Sequence, residues 1–182
     1  MVSAAEMLSV AAFEEGMYAQ AFPSFGSERT GAPVVSYCRI SEKEIRRREP
    51  IMEPDVLIIQ DPTLLHQWDV FSGLKDDGYI LINTNKSLHD LGIDEIMKNR
   101  DPAKVCIVNA TELSIKHVGR HVPNVPLLGG FAAITGKIKI ESVIKAINTK
   151  FKGTVAEGNI EAANAAYKIV IKEMEEAHAK AN

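Results

Sequence analysis

The chain is expected to fold as an α/β domain with a mostly parallel sheet flanked by helices, and three observations predict it. Short apolar runs without alternation, in "DVLIIQDP", "DDGYILINT" and "AKVCIVNAT", have the pattern of strands buried on both faces. Stretches with helical spacing lie between and after these runs, and strands alternating with helices build parallel sheets. The last third, from "NVPLLGGFAAITG" onward, carries helical patterns alone, which gives the fold a helical C-terminal part.

The totals agree. At 182 residues, 46% hydrophobic and 25% charged, the chain has the profile of a globular protein with a sizeable core, read as a single domain over 1–182. A net charge of -3 gives no electrostatic case for nucleic acid. No apolar run approaches the roughly 20 residues of a membrane span. The start "MVSAAEMLSVAAF" lacks a secretory pattern, and Cys38 and Cys106 form no C-x-x-C pair, so the expectation is a reduced, cytoplasmic chain.

In chain order, Ser3 and Glu6 have capping-box spacing for a first helix that Gly16 stops. A doubly wound fold ordinarily opens with a strand and a glycine-rich turn before that helix. Neither is present, so the sheet lacks its usual first strand or residues precede this numbering. "AFPSFGSERTGAP", residues 21–33, reads as a loop without periodicity, stiffened by Pro23 and Pro33 and given conformational freedom by Gly26 and Gly31. "VVSYCRI" reads as a strand, "SEKE" as a turn and "IRRREP" as a charged return strand at an exposed edge. Asp61 and Pro62 form an N-cap and first-turn pair for a short helix through Leu64 and Trp68. "GIDEIMKN" reads as a brief helix, "TELSIKHVG" as a helix closed by Gly119, and "NVPLLGGFAAITG" as one ended by Gly136. "IESVIKAINTKF" and "AEGNIEAANAAYKIVIKEMEEAHAK" complete the chain as helices.

Ligands of open parallel sheets sit beyond the carboxyl ends of the strands. Those ends here carry Gln60 and Asp61, Asn83 and Thr84, and Asn109 and Thr111. They could line a polar crevice, or the same residue types could cap the helices that follow. Arg46, Arg47 and Arg48, with Arg39 and Lys43 nearby, make the strongest local positive charge. They read as a solvated edge or as a docking patch for a phosphate or an acidic partner. His117 and His121 have metal-pair spacing, but Gly119 between them ends the helix, and no metal site is expected. "LLGGF" reads as a helix-packing glycine pair, since no strand leads directly into it as a phosphate cradle requires.

Several stretches carry a resemblance: "AAFEEGMYAQAFPSFGSERTGAPVVSYCRI", "EPDVLIIQDPTLL", "GLKDDGYILINT", "NVPLLGGFAAITG" and "AEGNIEAANAAY". In this order they resemble the gamma subunits of the 2-oxoacid:ferredoxin oxidoreductases, most of all those acting on pyruvate. The resemblance implies a Rossmann-like domain in a complex with alpha, beta and delta subunits. Such a complex would convert a 2-oxoacid and coenzyme A to an acyl-CoA and carbon dioxide, reducing ferredoxin. It implies that thiamine diphosphate with Mg2+ and the iron–sulfur clusters belong to the companions, so this chain carries no catalytic residue and is inactive alone. Two departures stand out. The family's G-x-G-G-Q-G turn after a first strand is absent. Position 30 is Thr where the family loop commonly has a second Arg. Phe22, Pro23, Phe25, Gly26, Glu28, Arg29 and Gly31 are then expected to form an ordered loop facing a partner or the active site. The arginine triplet is a possible coenzyme A contact. The alternatives are the equivalent subunit of a 2-oxoisovalerate, 2-oxoglutarate or indolepyruvate enzyme, a stand-alone nucleotide-binding module, or a pure scaffold.

Overall fold

A computed structural model describes residues 2–24 and 33–181. Helix α1 (Val2–Glu14) leads into an antiparallel hairpin, β1 (Tyr18–Ser24) and β2 (Val35–Ser41). Strands β3 (Val56–Ile59), β4 (Tyr79–Asn83) and β5 (Val105–Val108) form a separate parallel sheet in the order β3-β4-β5. A short 3-10 turn, Pro62–His66, follows β3; α2 (Asp94–Met97) lies between β4 and β5. The chain ends in α3 (Ala110–Val118), α4 (Asn124–Thr135), α5 (Ile140–Lys150) and the long α6 (Gly153–Ala181).

The parallel sheet sits between apolar layers, as its unalternating strands predict. Ile80, Ile82 and Val105 face one layer with Leu74, Leu91 and Ile93. Leu81, Cys106 and Val108 face the other, against Leu127 and Ile134 of α4 and Ala166 and Val170 of α6. β3 departs from the expectation. Val56, Leu57 and Ile58 are only half-buried, because β4 pairs with one edge of the strand and the other edge is unpaired among the described residues.

Helix α4 is buried almost throughout, which demands close helix contacts. The glycine pair supplies them, as expected. A Cβ at Gly129 would collide with the backbone carbonyl of Ala163 on α6, and one at Gly130 would press on Leu81 of β4. At the outer edge of β5, the Glu173 carboxylate of α6 accepts the Ile107 N–H at 3.0 Å. A side chain thus occupies a position that would otherwise invite another strand.

Four local expectations are corrected. Ser3 caps nothing, since the helix is under way by Val2; Glu6 reaches Lys150 instead, at 3.5 Å. The stretch after Asp61 is the 3-10 turn and ends before Trp68. Residues 45–50 form no strand, and the partner of β2 is Tyr18–Ser24. The arginine run has no apolar face to bury, whereas Ala19 of β1, with Cys38 and Ile40 of β2, packs on the α1 core. Consequently Ala21–Ser24 is strand and not loop; Phe25, Gly26, Glu28, Arg29 and Gly31 lie outside the described residues.

Candidate functional site

The carboxyl ends of β3, β4 and β5 meet at Asn83, 6% exposed. Its Nδ2 donates to the Gln60 carbonyl at 2.8 Å and to Thr111 Oγ1 at 2.9 Å, while its Oδ1 accepts from the Thr111 N–H at 3.1 Å. One amide therefore ties three strand ends together. Asp61 accepts from the Thr63 N–H at 3.0 Å and the Thr63 hydroxyl at 2.7 Å. Asn109 caps α3 by accepting the Glu112 N–H at 3.1 Å, and its own amide donates to the Glu112 carboxylate at 2.8 Å. Thr84 Oγ1 accepts from the Lys86 N–H at 3.1 Å. The hydrogen bonds of these polar strand ends go to caps and to one another. Gln60 Oε1 is an exception, buried with no hydrogen-bond partner among the described residues.

The face of the hairpin turned away from α1 carries a different arrangement. Phe22 lies opposite Tyr37, ring centroids 5.2 Å apart, with the Arg39 guanidinium 5.6 Å from the Phe22 centroid. Arg39 Nη2 also donates to the Glu49 carbonyl at 2.6 Å. Arg39 therefore braces the following segment and does not join the arginine triplet as a free charge. This stack was missed in the sequence. Alternation in "YAQAFPS", with Ala19 and Ala21 against Gln20 and Phe22, was the available signal. Pro23 is tolerated because β1, among the described residues, is an edge strand pairing with β2 alone.

Arg46, Arg47 and Arg48 are all exposed. Arg46 pairs with Glu44 at 3.0 Å, whereas Arg47 and Arg48 make no hydrogen bond or ion pair among the described residues. A cleft of about 2510 Å³ opens between the hairpin and β3 and reaches both the triplet segment and the strand ends. Cys38 and Cys106 lie in different sheets, and burial pushes both thiols up to about 12, so each is a protonated, unreactive thiol. His117 Nδ1 meets Glu161 at 3.0 Å, and Gly119, left-handed at φ 75°, ends α3 before His121. Among the described residues no group of three or more His, Cys, Asp or Glu could hold a metal ion. Nor is any helix among them long and apolar enough to cross a membrane.

The chain is of the mixed α/β class, a three-stranded parallel sheet flanked by helices with a long C-terminal helix. Residues 1–169 match the family model "Pyruvate ferredoxin/flavodoxin oxidoreductase", and the chain belongs to that family. It is 46% identical over 166 residues to the pyruvate/ketoisovalerate oxidoreductases common subunit gamma of Pyrococcus abyssi, covering 91% of this chain and 88% of that protein. It is 43% identical over 166 residues to the pyruvate synthase subunit PorC of Methanothermobacter marburgensis, with the same coverage. Among solved structures, the pyruvate oxidoreductase subunit PORC of Thermotoga maritima matches with a TM-score of 0.78 and 34% identity, over 92% of this chain and 88% of that one.

Proposed function

We propose that this chain is the gamma subunit of a pyruvate:ferredoxin oxidoreductase, the enzyme that converts pyruvate, coenzyme A and oxidised ferredoxin to acetyl-CoA, carbon dioxide and reduced ferredoxin. The family match over residues 1–169 carries the reading. Thiamine diphosphate, when bound on the companion alpha, beta and delta subunits, supplies the carbanion chemistry, and their iron–sulfur clusters take the electrons. This chain contributes surface. Residues 1–182 act as one cytoplasmic domain, and the segment of Phe22, Pro23, Phe25, Gly26, Glu28, Arg29 and Gly31 faces a companion subunit or the active site. Arg46, Arg47 and Arg48 supply guanidinium groups suited to the phosphates of coenzyme A. Gln60, whose buried Oε1 has no hydrogen-bond partner among the described residues, is the strand-end group with an acceptor still to be satisfied, while Asp61, Asn83 and Asn109 hold its surroundings in place.

A second reading has specific support. The Pyrococcus abyssi relative is named as common to pyruvate and ketoisovalerate enzymes, so one gamma subunit serving two oxoacids is also consistent with this chain. Affinity purification from the source organism tests both. Copurifying alpha, beta and delta subunits with pyruvate-dependent viologen reduction is expected, with the chain alone inactive. Activity from the isolated chain would overturn the subunit reading. Two sets of companions, one for each oxoacid, would establish the shared form.

A further inference from the structure

Asp77–Gly78 is the one aspartyl–glycyl step in the sequence, which has no asparaginyl–glycyl step. At such a step the backbone nitrogen is open to the preceding carboxyl, because glycine has no Cβ to shield it. The step closes the turn that feeds β4. The Gly78 N–H donates to the Lys75 carbonyl at 2.9 Å, and the strand begins at Tyr79. Packing keeps the glycine there. A Cβ at Gly78 would stand 2.9 Å from the Lys75 carbonyl oxygen, 3.2 Å from that of Asp55 and 2.8 Å from Leu74 Cδ1.

Two cations clamp this turn. Arg100 Nη1 donates to the carbonyls of Lys75 at 2.8 Å, Asp76 at 3.0 Å and Gly78 at 3.5 Å. Lys104 Nζ donates to the Asp77 carbonyl at 3.0 Å and lies 5.1 Å from the centroid of the Tyr79 ring. The N–H and C=O of the Asp77–Gly78 peptide are therefore both engaged. The Asp77 carboxylate is exposed and makes no hydrogen bond among the described residues. The nitrogen is held, and the carboxyl it could attack is not.

We propose that Asp77 is a site of spontaneous aspartate isomerisation, and that Arg100 and Lys104 hold the turn closed against it. When the turn opens, the Gly78 nitrogen attacks the Asp77 carboxyl carbon. A C–N bond forms, and the carboxyl hydroxyl leaves with the Gly78 proton as water. The product is a cyclic imide. Water then adds to either imide carbonyl and breaks its C–N bond. One cleavage restores aspartate; the other routes the backbone through the side chain as isoaspartate. Water released equals water taken up, and nothing is oxidised or reduced. Isoaspartate lengthens the backbone immediately before β4, the central strand, where Ile80, Leu81 and Ile82 are fully buried. The added atom falls where the entry to that strand is set, so a closed turn protects the sheet.

The test incubates the full chain in heavy-oxygen water and maps its peptides for isoaspartate and heavy oxygen at residue 77. The parent is compared with Arg100→Gln, Lys104→Met and Asp77→Glu, and with Asn83→Ala, which loosens the fold away from the turn. Labelled isoaspartate is expected to form slowly in the parent and at least roughly tenfold faster in Arg100→Gln and Lys104→Met. Asp77→Glu, which needs a larger ring, should give none, and Asn83→Ala should stay close to the parent. Parent chain held unfolded in urea gives the unclamped rate, so the clamp is measured even where a variant does not fold. Equal rates in the parent and both clamp variants, or in folded and unfolded parent, would overturn the clamp. So would an equal rise in Asn83→Ala. No isoaspartate at residue 77 even in the unfolded parent would overturn the site.

Discussion

Asn83 and Thr111 hold each other reciprocally: the Asn83 amide donates to the Thr111 hydroxyl at 2.9 Å, and the Thr111 N–H donates back to Asn83 Oδ1 at 3.1 Å. With the Gln60 carbonyl as third partner, this pair fixes the spacing of the three strand ends. Asn83→Ala leaves the Gln60 carbonyl and the Thr111 N–H without that partner in a site nearly closed to water. A stability loss of about 1–3 kcal/mol is expected, measured by urea unfolding. A loss below about 0.5 kcal/mol, the range of ordinary surface changes, would show that the strand ends are held by other means.

Close helix contact makes a second prediction. Gly129→Ala places a methyl group against the Ala163 carbonyl, and Gly158→Ala places one against the His117 carbonyl. Backbone must move in each case, so each is expected to destabilise by about 1–3 kcal/mol. Gly16→Ala has space around it but a φ of 76° to hold, and its cost of about 1 kcal/mol is one of conformation alone. Thermal unfolding of all three separates crowding from strain. If Gly129→Ala were as stable as the parent, the α4–α6 approach would be wrong.

Glu173 makes stability depend on pH. Burial pushes its carboxyl up from 4.5 to about 7; the Ile107 N–H opposes the shift, and Glu176 adds to it. Below about 4.5 the group is protonated both folded and unfolded. As pH rises, the unfolded chain releases the proton first while the folded chain retains it. Its stabilising contribution is therefore complete at low pH and lost as pH rises through the window to about 7. Measured against Glu173→Gln, which keeps an acceptor for Ile107, the parent should lose relative stability across that window. Parallel pH profiles for the two proteins would refute the assignment.

The arginine triplet separates coenzyme A contact from a purely structural role. The Arg46–Glu44 pair is exposed on both sides, and such pairs add little to stability. Arg46→Ala, Arg47→Ala and Arg48→Ala together should leave the unfolding midpoint unchanged. In the assembled enzyme they should raise the KM for coenzyme A several-fold, with the KM for pyruvate unaffected. An unchanged coenzyme A KM removes the phosphate role and leaves the segment as solvated surface.

Much of the fold was legible because its signals are local. Unalternating apolar runs marked β3, β4 and β5. Gly119 and Gly136 marked two helix ends, where they adopt left-handed φ values of 75° and 60°. Asp61 and Asn109 were readable as caps because a cap bonds two or three residues away. The stack of Phe22, Tyr37 and Arg39 was not legible, since it needs the register of two strands that lie ten residues apart in the chain. Glu173 was missed for a related reason. Its one signal was an acid on the apolar stripe of α6 beside Val170 and Met174, and only packing against β5 gives that position a meaning.

The sequence by itself determined the α/β class, the buried strands, the helix ends and the family, because each is written in residue type and short-range spacing. Tertiary structure alone decided that Asn83 joins three strand ends and that Arg39 turns to Phe22 rather than to the triplet. It also decided that β2 and β3 belong to separate sheets that line one cleft. Those outcomes depend on which backbone edges and side chains meet in space, and hydrogen bonds between segments far apart in the chain leave no periodic mark along it.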